Sequence, residues 1–175
     1  MNSSNKLEAI SNVAMTTVAL LLSVVLVKQF LLPQPKPSRA AGPPVISKGA
    51  SLGNSLRDVD WAKNGRTLIL AISSGCHLCT DSGPFLQKIA KQPRNGVKLL
   101  AVLPQPVTEG REYLSKLGVQ VEDVRQASLN SIGVRGTPTL LLVDRTGTVL
   151  DVWEGKLAPD REEQVLVVLK NHAAA

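Results

Sequence analysis

The two cysteines of this chain, Cys76 and Cys79, stand three positions apart in the segment SSGCHLCTDSGPF at residues 73–85. A pair with this spacing serves zinc binding, covalent haem attachment, a small structural disulfide or thiol–disulfide exchange. A disulfide between them would close a very short loop and constrain little of the unfolded chain, so a structural role is the weakest interpretation. The residues around the pair distinguish among zinc binding, haem attachment and thiol–disulfide exchange.

Metal and haem chemistry need ligands that the sequence scarcely supplies. A zinc site takes three or four ligands, and only His77 and His172 are available as histidines to join the two cysteines. Covalent haem attachment requires a histidine directly after the second cysteine, where this chain has Thr80. We therefore predict no metal site and exclude a c-type haem.

Thiol–disulfide exchange has a positive physical argument. Cys76 directly follows an apolar segment typical of a buried strand, at the expected start of a helix. Free backbone N–H groups and the helix dipole stabilise a thiolate at that position, and Cys79 lies one turn further on, within reach of a mixed disulfide. His77 either adds positive charge beside the thiolate or is an exposed histidine without a role.

The elements expected around the cysteines alternate between strand and helix. The pattern predicts a mixed α/β sheet covered by helices on both faces, in the order β-α-β-α-β-(α)-β-β-α. The predicted strands are 67–73, 97–103, 119–124, 139–144 and 149–155, the last two forming a hairpin around Gly147. The predicted helices are 77–92, a helix from the N-cap Thr108 to 117, a weak turn at 126–132 and a last helix beginning at Pro159.

An apolar segment near the N-terminus has the length of a membrane span. Residues 13–32 carry a single charge, Lys28, and a bilayer core of about 30 Å needs roughly 20 helical residues. We interpret this segment as an uncleaved signal-anchor; the alternative is a signal peptide cleaved after the small residues at 38–40. The predicted organisation is a tail at 1–12, a transmembrane helix at 13–32, a proline-rich linker at 33–49 and one domain at 50–175.

Composition and charge narrow the class of partner. The chain is 43% hydrophobic and 19% charged, as in globular proteins, and its net charge is +6. From Ser51 onward 15 basic residues stand beside 13 acidic ones, so much of the basicity belongs to the segment next to the predicted anchor. Such a segment suits anionic lipid, and without a basic stripe interleaved with aromatics we expect no nucleic-acid binding.

A distant stretch makes the chain resemble a known family. SIGVRGTPTLLLVDRTGTVL at 131–150 is similar to the G-(V/I)-x-G-(T/I)-P-T segment of the thioredoxin superfamily, and Pro84 stands five residues after the second cysteine, as does a kinking proline in thioredoxins. The resemblance covers residues 50–172. It implies a thioredoxin-like fold in which Pro138 follows a cis peptide bond, and Gly136, Thr137 and Pro138 bind the substrate chain. It also implies that Cys76 is the nucleophile, that Cys79 resolves the mixed disulfide, and that their disulfide is the only redox group.

Within that superfamily, the predicted anchor and the long interval between Cys79 and Pro138 resemble the membrane-tethered TlpA-type or redoxin group. This resemblance implies protein disulfide or dithiol substrates, an upstream thiol electron donor and a periplasmic or equivalent extracytoplasmic domain, with cytochrome c maturation as one setting. The basic residues after the predicted span instead favour a cytoplasmic domain by the positive-inside rule. We give the resemblance more weight than this charge signal.

Several residues depart from the thioredoxin pattern. Gly75 replaces the tryptophan before the first cysteine, His77 and Leu78 replace the usual proline-containing pair, and Leu70 and Ser82 occupy the places of family carboxylates. Since such residues tune the thiolate, the direction of electron flow stays open. Two other functions also stay open: a non-enzymatic copper- or partner-binding module, and a peroxiredoxin-like peroxidase, with Ser73 three residues before Cys76 but Ile69 in place of the expected proline.

Overall fold

The structure is a computed structural model that describes residues 15–23, 45–94 and 96–171. The chain divides into two units, Met1–Gly42 and Pro43–Ala175. In the first unit, residues 15–23 are helical. None of the helices within the described ranges is long and apolar enough to span a bilayer. Most of the predicted anchor at 13–32 and of the linker at 33–49, the alternative cleavage site at 38–40 and His172 lie outside the described residues.

The second unit is built on a five-stranded mixed sheet in the order β3-β2-β1-β4-β5. Strands β1, β2 and β3 run parallel to one another, whereas β4 is antiparallel to both β1 and β5. The central strand β1 is buried at all five positions, which explains its continuous apolar sequence. The strands are β1 (Thr67–Ala71), β2 (Lys98–Leu103), β3 (Asp123–Gln126), β4 (Thr139–Val143) and β5 (Val149–Glu154).

Helices connect the strands and cover the sheet. The cysteine segment is helical in two pieces, α2 and α3, and α4 lies between β2 and β3. The helices are α1 (Trp61–Asn64), α2 (His77–Asp81), α3 (Gly83–Lys91), α4 (Val107–Lys116) and α5 (Pro159–Asn171), with a 3-10 helix at Leu129–Ile132.

Alternate residues of β1 point into two hydrophobic cores on opposite faces of the sheet. Leu68 and Leu70 belong to the core beneath α3, α4 and α5, whose buried residues include Ile89, Leu114 and Val165. The core on the other face contains side chains from residues 46–61, from α1 and from the 3-10 helix. Both faces are therefore covered, as predicted, but all the long helices lie on one face.

The observed order of elements confirms the predicted α/β class and corrects three details. The four-residue helix α1 was not predicted. Thr108 is not the N-cap of α4, because the helix already begins at Val107 after Pro106 and has no side-chain cap. Strand β3 begins at Asp123 rather than at 119, since the apolar alternation before it reflects burial of Val119 and packing of Val121 against the core, not pairing with β2.

Candidate active site

Cys76 is placed by a turn that joins the central strand to α2. The chain leaves β1 at Ala71 and turns at Ser73, whose carbonyl oxygen accepts a hydrogen bond from the N–H of Cys76 at 3.1 Å. Cys76 then caps α2, its sulfur accepting the backbone N–H of Cys79 at 3.4 Å. The first cysteine therefore lies at a helix N-terminus and is only partly buried.

The two thiols occupy opposite environments. Burial opposes ionisation of Cys76. Hydrogen bonds from the Thr137 side chain, from Cys79 and from the first turn of α2 outweigh this effect, so that the pKa of Cys76 is below the ordinary 9.0. Cys79 is fully buried in the core beneath α3. Burial and its hydrogen bond with Cys76 raise the pKa of Cys79 to about 12. One thiol is thus disposed to be a thiolate and the other to keep its proton.

The loop before β4 lies against Cys76. The peptide bond between Thr137 and Pro138 is cis, as the resemblance implies. The carbonyl oxygen of Thr137 lies 3.2 Å from the sulfur of Cys76, and the loop is held by a 2.8 Å hydrogen bond from the Thr139 hydroxyl to the Gly136 carbonyl. The structure therefore brings the two predicted catalytic cysteines and the predicted substrate-binding loop together.

Two glycines leave space beside this cluster. A Cβ atom added at Gly75 or at Gly136 would meet nothing within 4 Å, and neither residue has a positive φ. Leu78, the second residue between the cysteines, is 36% exposed. The surface around the sulfur of Cys76 is therefore open and in part apolar.

His77 is a highly exposed member of the predicted modulators. Its side chain is 82% exposed, and Nε2 lies 3.9 Å from a carboxylate oxygen of Asp81, which also lies 3.5 Å from Nζ of Lys156. The structure thus places His77 beside Asp81, one turn along α2. A direct effect of His77 on the Cys76 thiolate stays a prediction.

Pro84 explains why the helical stretch after the cysteines is divided. It is the second residue of α3, where a missing N–H breaks no intrahelical hydrogen bond. Between the two helices, Ser82 donates its hydroxyl to the carbonyl of Leu78 at 2.8 Å and its backbone carbonyl accepts from Leu86. The predicted helix at 77–92 is therefore two helices that meet at Ser82.

Within the described ranges, no group of three or more histidine, cysteine, aspartate or glutamate side chains is placed to hold a metal ion. His172, considered above as a ligand, lies outside these ranges.

Three residues that contact the cysteine segment were not predicted, two of them in α4 and one, Gln105, just before it. Gln105, Glu109 and Tyr113 form hydrogen bonds with Ser73, with Ser74 and with Thr80. A spacing of four residues places Glu109 and Tyr113 on one side of α4, whereas Gln105 precedes the extended N-cap Pro106 and has no such signal.

The sheet, the cysteine pair at the N-terminus of α2 and the cis-proline loop beside it define a thioredoxin-like fold. Solved structures share this fold. One is a thiol:disulfide interchange protein from a Bacteroides species, which is 19% identical in sequence. The aligned region covers 77% of this chain and 93% of the Bacteroides chain, with a TM-score of 0.51. Another, described as a thiol:disulfide interchange protein DsbE of Chlorobium tepidum, is 21% identical and covers 71% of this chain and 99% of its own, with a TM-score of 0.52.

A third solved structure, described as a thioredoxin of Neisseria meningitidis, is 22% identical and covers 66% of this chain and 81% of its own, with a TM-score of 0.51. No family model and no curated protein matches the sequence. At these identities the likeness confirms the thioredoxin-like fold. A fold of this kind hosts different functions, so the activity depends on the residues of the site.

Proposed function

We propose that this protein is a thiol–disulfide oxidoreductase, with Cys76 as the nucleophile and Cys79 as the resolving cysteine. The contrast between the two thiols carries the proposal. The partly exposed Cys76 has a lowered pKa, while the pKa of the buried Cys79 is raised to about 12. A dithiol of this kind attacks with one defined sulfur and keeps the other protonated until the mixed disulfide has formed.

In the reductive direction the cycle has two displacements. The Cys76 thiolate attacks one sulfur of a substrate disulfide; a mixed disulfide forms, and the second substrate sulfur leaves as a thiolate. Cys79 then gives its proton to that thiolate or to water and attacks the Cys76 sulfur, which releases the first substrate sulfur and forms the Cys76–Cys79 disulfide. Two electrons pass from the dithiol to the substrate. A thiol donor then reduces the Cys76–Cys79 disulfide and so restores the dithiol. The same steps in reverse oxidise a dithiol substrate.

The open loop beside Cys76 supports a protein substrate. The Thr137 carbonyl of this loop lies 3.2 Å from the attacking sulfur, and a Cβ atom added at Gly75 or Gly136 would meet nothing within 4 Å. An extended segment of substrate placed there would present its disulfide to Cys76. The partners that we propose are accordingly protein disulfides or dithiols and an upstream thiol donor.

The proposed location follows from the sequence and from the resemblance to the TlpA-type group. Residues 13–32 would anchor the protein as a single-pass membrane protein, with the thioredoxin-like domain in the periplasm or an equivalent extracytoplasmic space. Disulfide substrates persist in such compartments. Cytochrome c maturation is one pathway in which such an enzyme would act, and no prosthetic group is needed for the exchange itself.

Trapping of the mixed disulfide tests the activity. Cys79→Ser removes the resolving thiol, so we expect Cys76 to remain covalently bound to client proteins in bands that disappear on reduction. Cys76→Ser is the matched control and should form no such bands. Absence of trapping by Cys79→Ser, together with resistance of Cys76 to alkylation at neutral pH, contradicts the proposal.

The reduction potential then determines the direction. A value near about −270 mV identifies a reductant, and one near about −120 mV an oxidant. High-affinity copper binding that protects both thiols, or rapid consumption of peroxide, would instead favour the binding module or the peroxidase.

A further inference from the structure

Two side chains, one just before α4 and one in its first turn, hold the turn that precedes Cys76. Gln105 donates from Nε2 to the Ser73 hydroxyl at 3.0 Å, and its Oε1 accepts the backbone N–H of Ser74 at 3.5 Å. Glu109, in the first turn of α4, accepts a 2.7 Å hydrogen bond from the Ser74 hydroxyl. Both serines of the turn are therefore bound by the stretch of chain that leads into α4.

A third side chain, that of Tyr113 in α4, contacts the other end of the cysteine segment. The hydroxyl of Tyr113 lies 3.2 Å from the hydroxyl of Thr80, the residue directly after Cys79. Tyr113 also packs against the core that contains Cys79. Burial raises the pKa of Tyr113, and its hydrogen bond with Thr80 acts in the opposite direction.

The turn that these residues hold is connected to both sulfurs. The carbonyl of Ser73 accepts the N–H of Cys76 and so determines where that residue enters α2. A backbone hydrogen bond from Ser73 also favours ionisation of Cys79 and partly offsets the burial that raises its pKa. A displacement of Ser73 would therefore change the surroundings of both thiols.

Close packing fixes the height of α4 above the sheet. A Cβ atom at Gly110 would lie 3.2 Å from Leu103 of β2 and 3.3 Å from Val124 of β3, closer than an ordinary contact. The glycine thus lets the helix lie directly on these strands. The polar face next to it is then held at a defined distance from the turn at Ser73.

We propose that α4 and Gln105, just before it, form a clamp on the cysteine segment, in which Gln105, Glu109 and Tyr113 are positioning residues that set the reactivity of the dithiol. This inference rests on the proposed function, since it names what regulates the same site. None of the three residues needs to touch the substrate. They act through Ser73, Ser74 and Thr80.

The test measures two properties of the full-length reduced protein that need no client. One is the pH midpoint of Cys76 thiolate formation, followed by absorbance of the thiolate or by the rate of alkylation. The other is the equilibrium constant between dithiol and disulfide in a dithiothreitol redox buffer. We expect Gln105→Ala, Glu109→Ala and Tyr113→Phe each to change this constant by about three- to tenfold, the range for loss of one hydrogen bond.

Matched variants separate positioning from charge and from general destabilisation. Glu109→Gln keeps an acceptor for Ser74 and should retain values near those of the unmodified protein. Glu112→Gln and Glu112→Ala change an exposed carboxylate of the same helix and should have no effect. Ser74→Ala removes the same hydrogen bond from the other side, so it should reproduce Glu109→Ala and gives a second route if that variant folds poorly.

Two results would overturn the clamp. One is a set of Gln105→Ala, Ser74→Ala and Glu109→Ala proteins with lowered melting temperature but unchanged thiolate midpoint and redox constant. The other is a Glu109→Gln protein as altered as Glu109→Ala, since charge rather than position would then carry the effect. Failure of the proposed function is a separate result: Cys79→Ser would trap no client, whereas the redox constant would still respond to the α4 variants.

Discussion

The carbonyl oxygen of Thr137 lies 3.2 Å from the sulfur of Cys76, although 61 residues separate them in the chain. The sheet explains this contact. Strands β1 and β4 are antiparallel neighbours, and Ala71 at the end of β1 pairs with Thr139 at the start of β4. The residues that follow Ala71 and those that precede Thr139 therefore leave the sheet at the same end of the two strands. There the cysteine turn meets the cis-proline loop.

The lowered pKa of Cys76 predicts selective alkylation of the reduced protein. A pKa below 9.0 means a larger thiolate fraction at pH 7 than an ordinary cysteine has, and the thiolate is the species that reacts. We expect iodoacetamide to modify Cys76 with a pH midpoint below 9.0 while Cys79 stays unmodified until the protein is unfolded. Peptide mapping by mass spectrometry assigns the modified residue. Equal labelling of both cysteines in the folded protein would contradict this prediction.

The raised pKa of Cys79 predicts a loss of stability in alkaline solution. In the unfolded chain this thiol ionises near 9.0, whereas in the folded protein it holds its proton to about 12. Above pH 9 the unfolded state therefore binds fewer protons, and the free energy of unfolding falls with pH by at most about 1.4 kcal/mol per unit from this one group.

Urea unfolding of the reduced protein between pH 8 and pH 11 measures this fall, with Cys79→Ser as the control. The serine variant lacks the titrating group but keeps Cys76 and all other ionisable residues. Its stability should decline less steeply than that of the unmodified protein. Parallel curves for the two proteins would show that Cys79 ionises normally in the fold.

Most of the sheet could be predicted because its strands are marked by hydrophobicity alone. Strands β1, β2 and β4 are continuous apolar runs, and the hairpin of β4 and β5 has a glycine at its turn. Helix α1 could not be found in this way, since it contributes one buried side chain, Trp61, and depends on the cap from Asp60. A single turn of helix has too few residues to show a period.

The candidate site could be predicted only where residue type and chemistry coincide. Cysteines and a proline in a distinctive motif indicate Cys76, Cys79 and Pro138. By contrast, Gln105 and Glu109 are ordinary polar residues whose importance depends on where α4 lies over the sheet. That position is set by the packing of Gly110 on β2 and β3, a tertiary contact without a sequence signature.

We predict that substitution of Gly147, in the turn between β4 and β5, strongly lowers the free energy of unfolding. Gly147 has φ of +81°, and a Cβ atom there would lie 3.1 Å from the indole of Trp61. Gly147→Ala therefore combines backbone strain with overpacking, and we expect a loss of about 2–4 kcal/mol in the free energy of unfolding. Gly49→Ala is the matched control, because Gly49 has φ of +85° but open space around it, and it should cost only about 1–2 kcal/mol. Urea denaturation gives both values, and equal losses would exclude a steric role for Trp61.

The free space at Gly136 predicts a variant that separates protein substrates from small ones. Gly136→Ala should leave the melting temperature and the pKa of Cys76 unchanged, because the new Cβ atom meets nothing within 4 Å in the free protein. If a substrate chain lies against this loop, the methyl group meets it, and a steric cost of about 1–3 kcal/mol corresponds to a slowing of exchange by about 5- to 150-fold.

We therefore expect Gly136→Ala to react slowly with a disulfide-bonded protein such as insulin but normally with a small aromatic disulfide, which needs only the sulfur of Cys76. Gly75→Ala tests the other side of the opening in the same way. Gly53→Ala, distant from the cysteines and also without steric conflict, should react normally with both substrates. An equal rate for Gly136→Ala and Gly53→Ala with the protein substrate would mean that polypeptide does not bind along the cis-proline loop, because a chain lying there could not avoid the added methyl group.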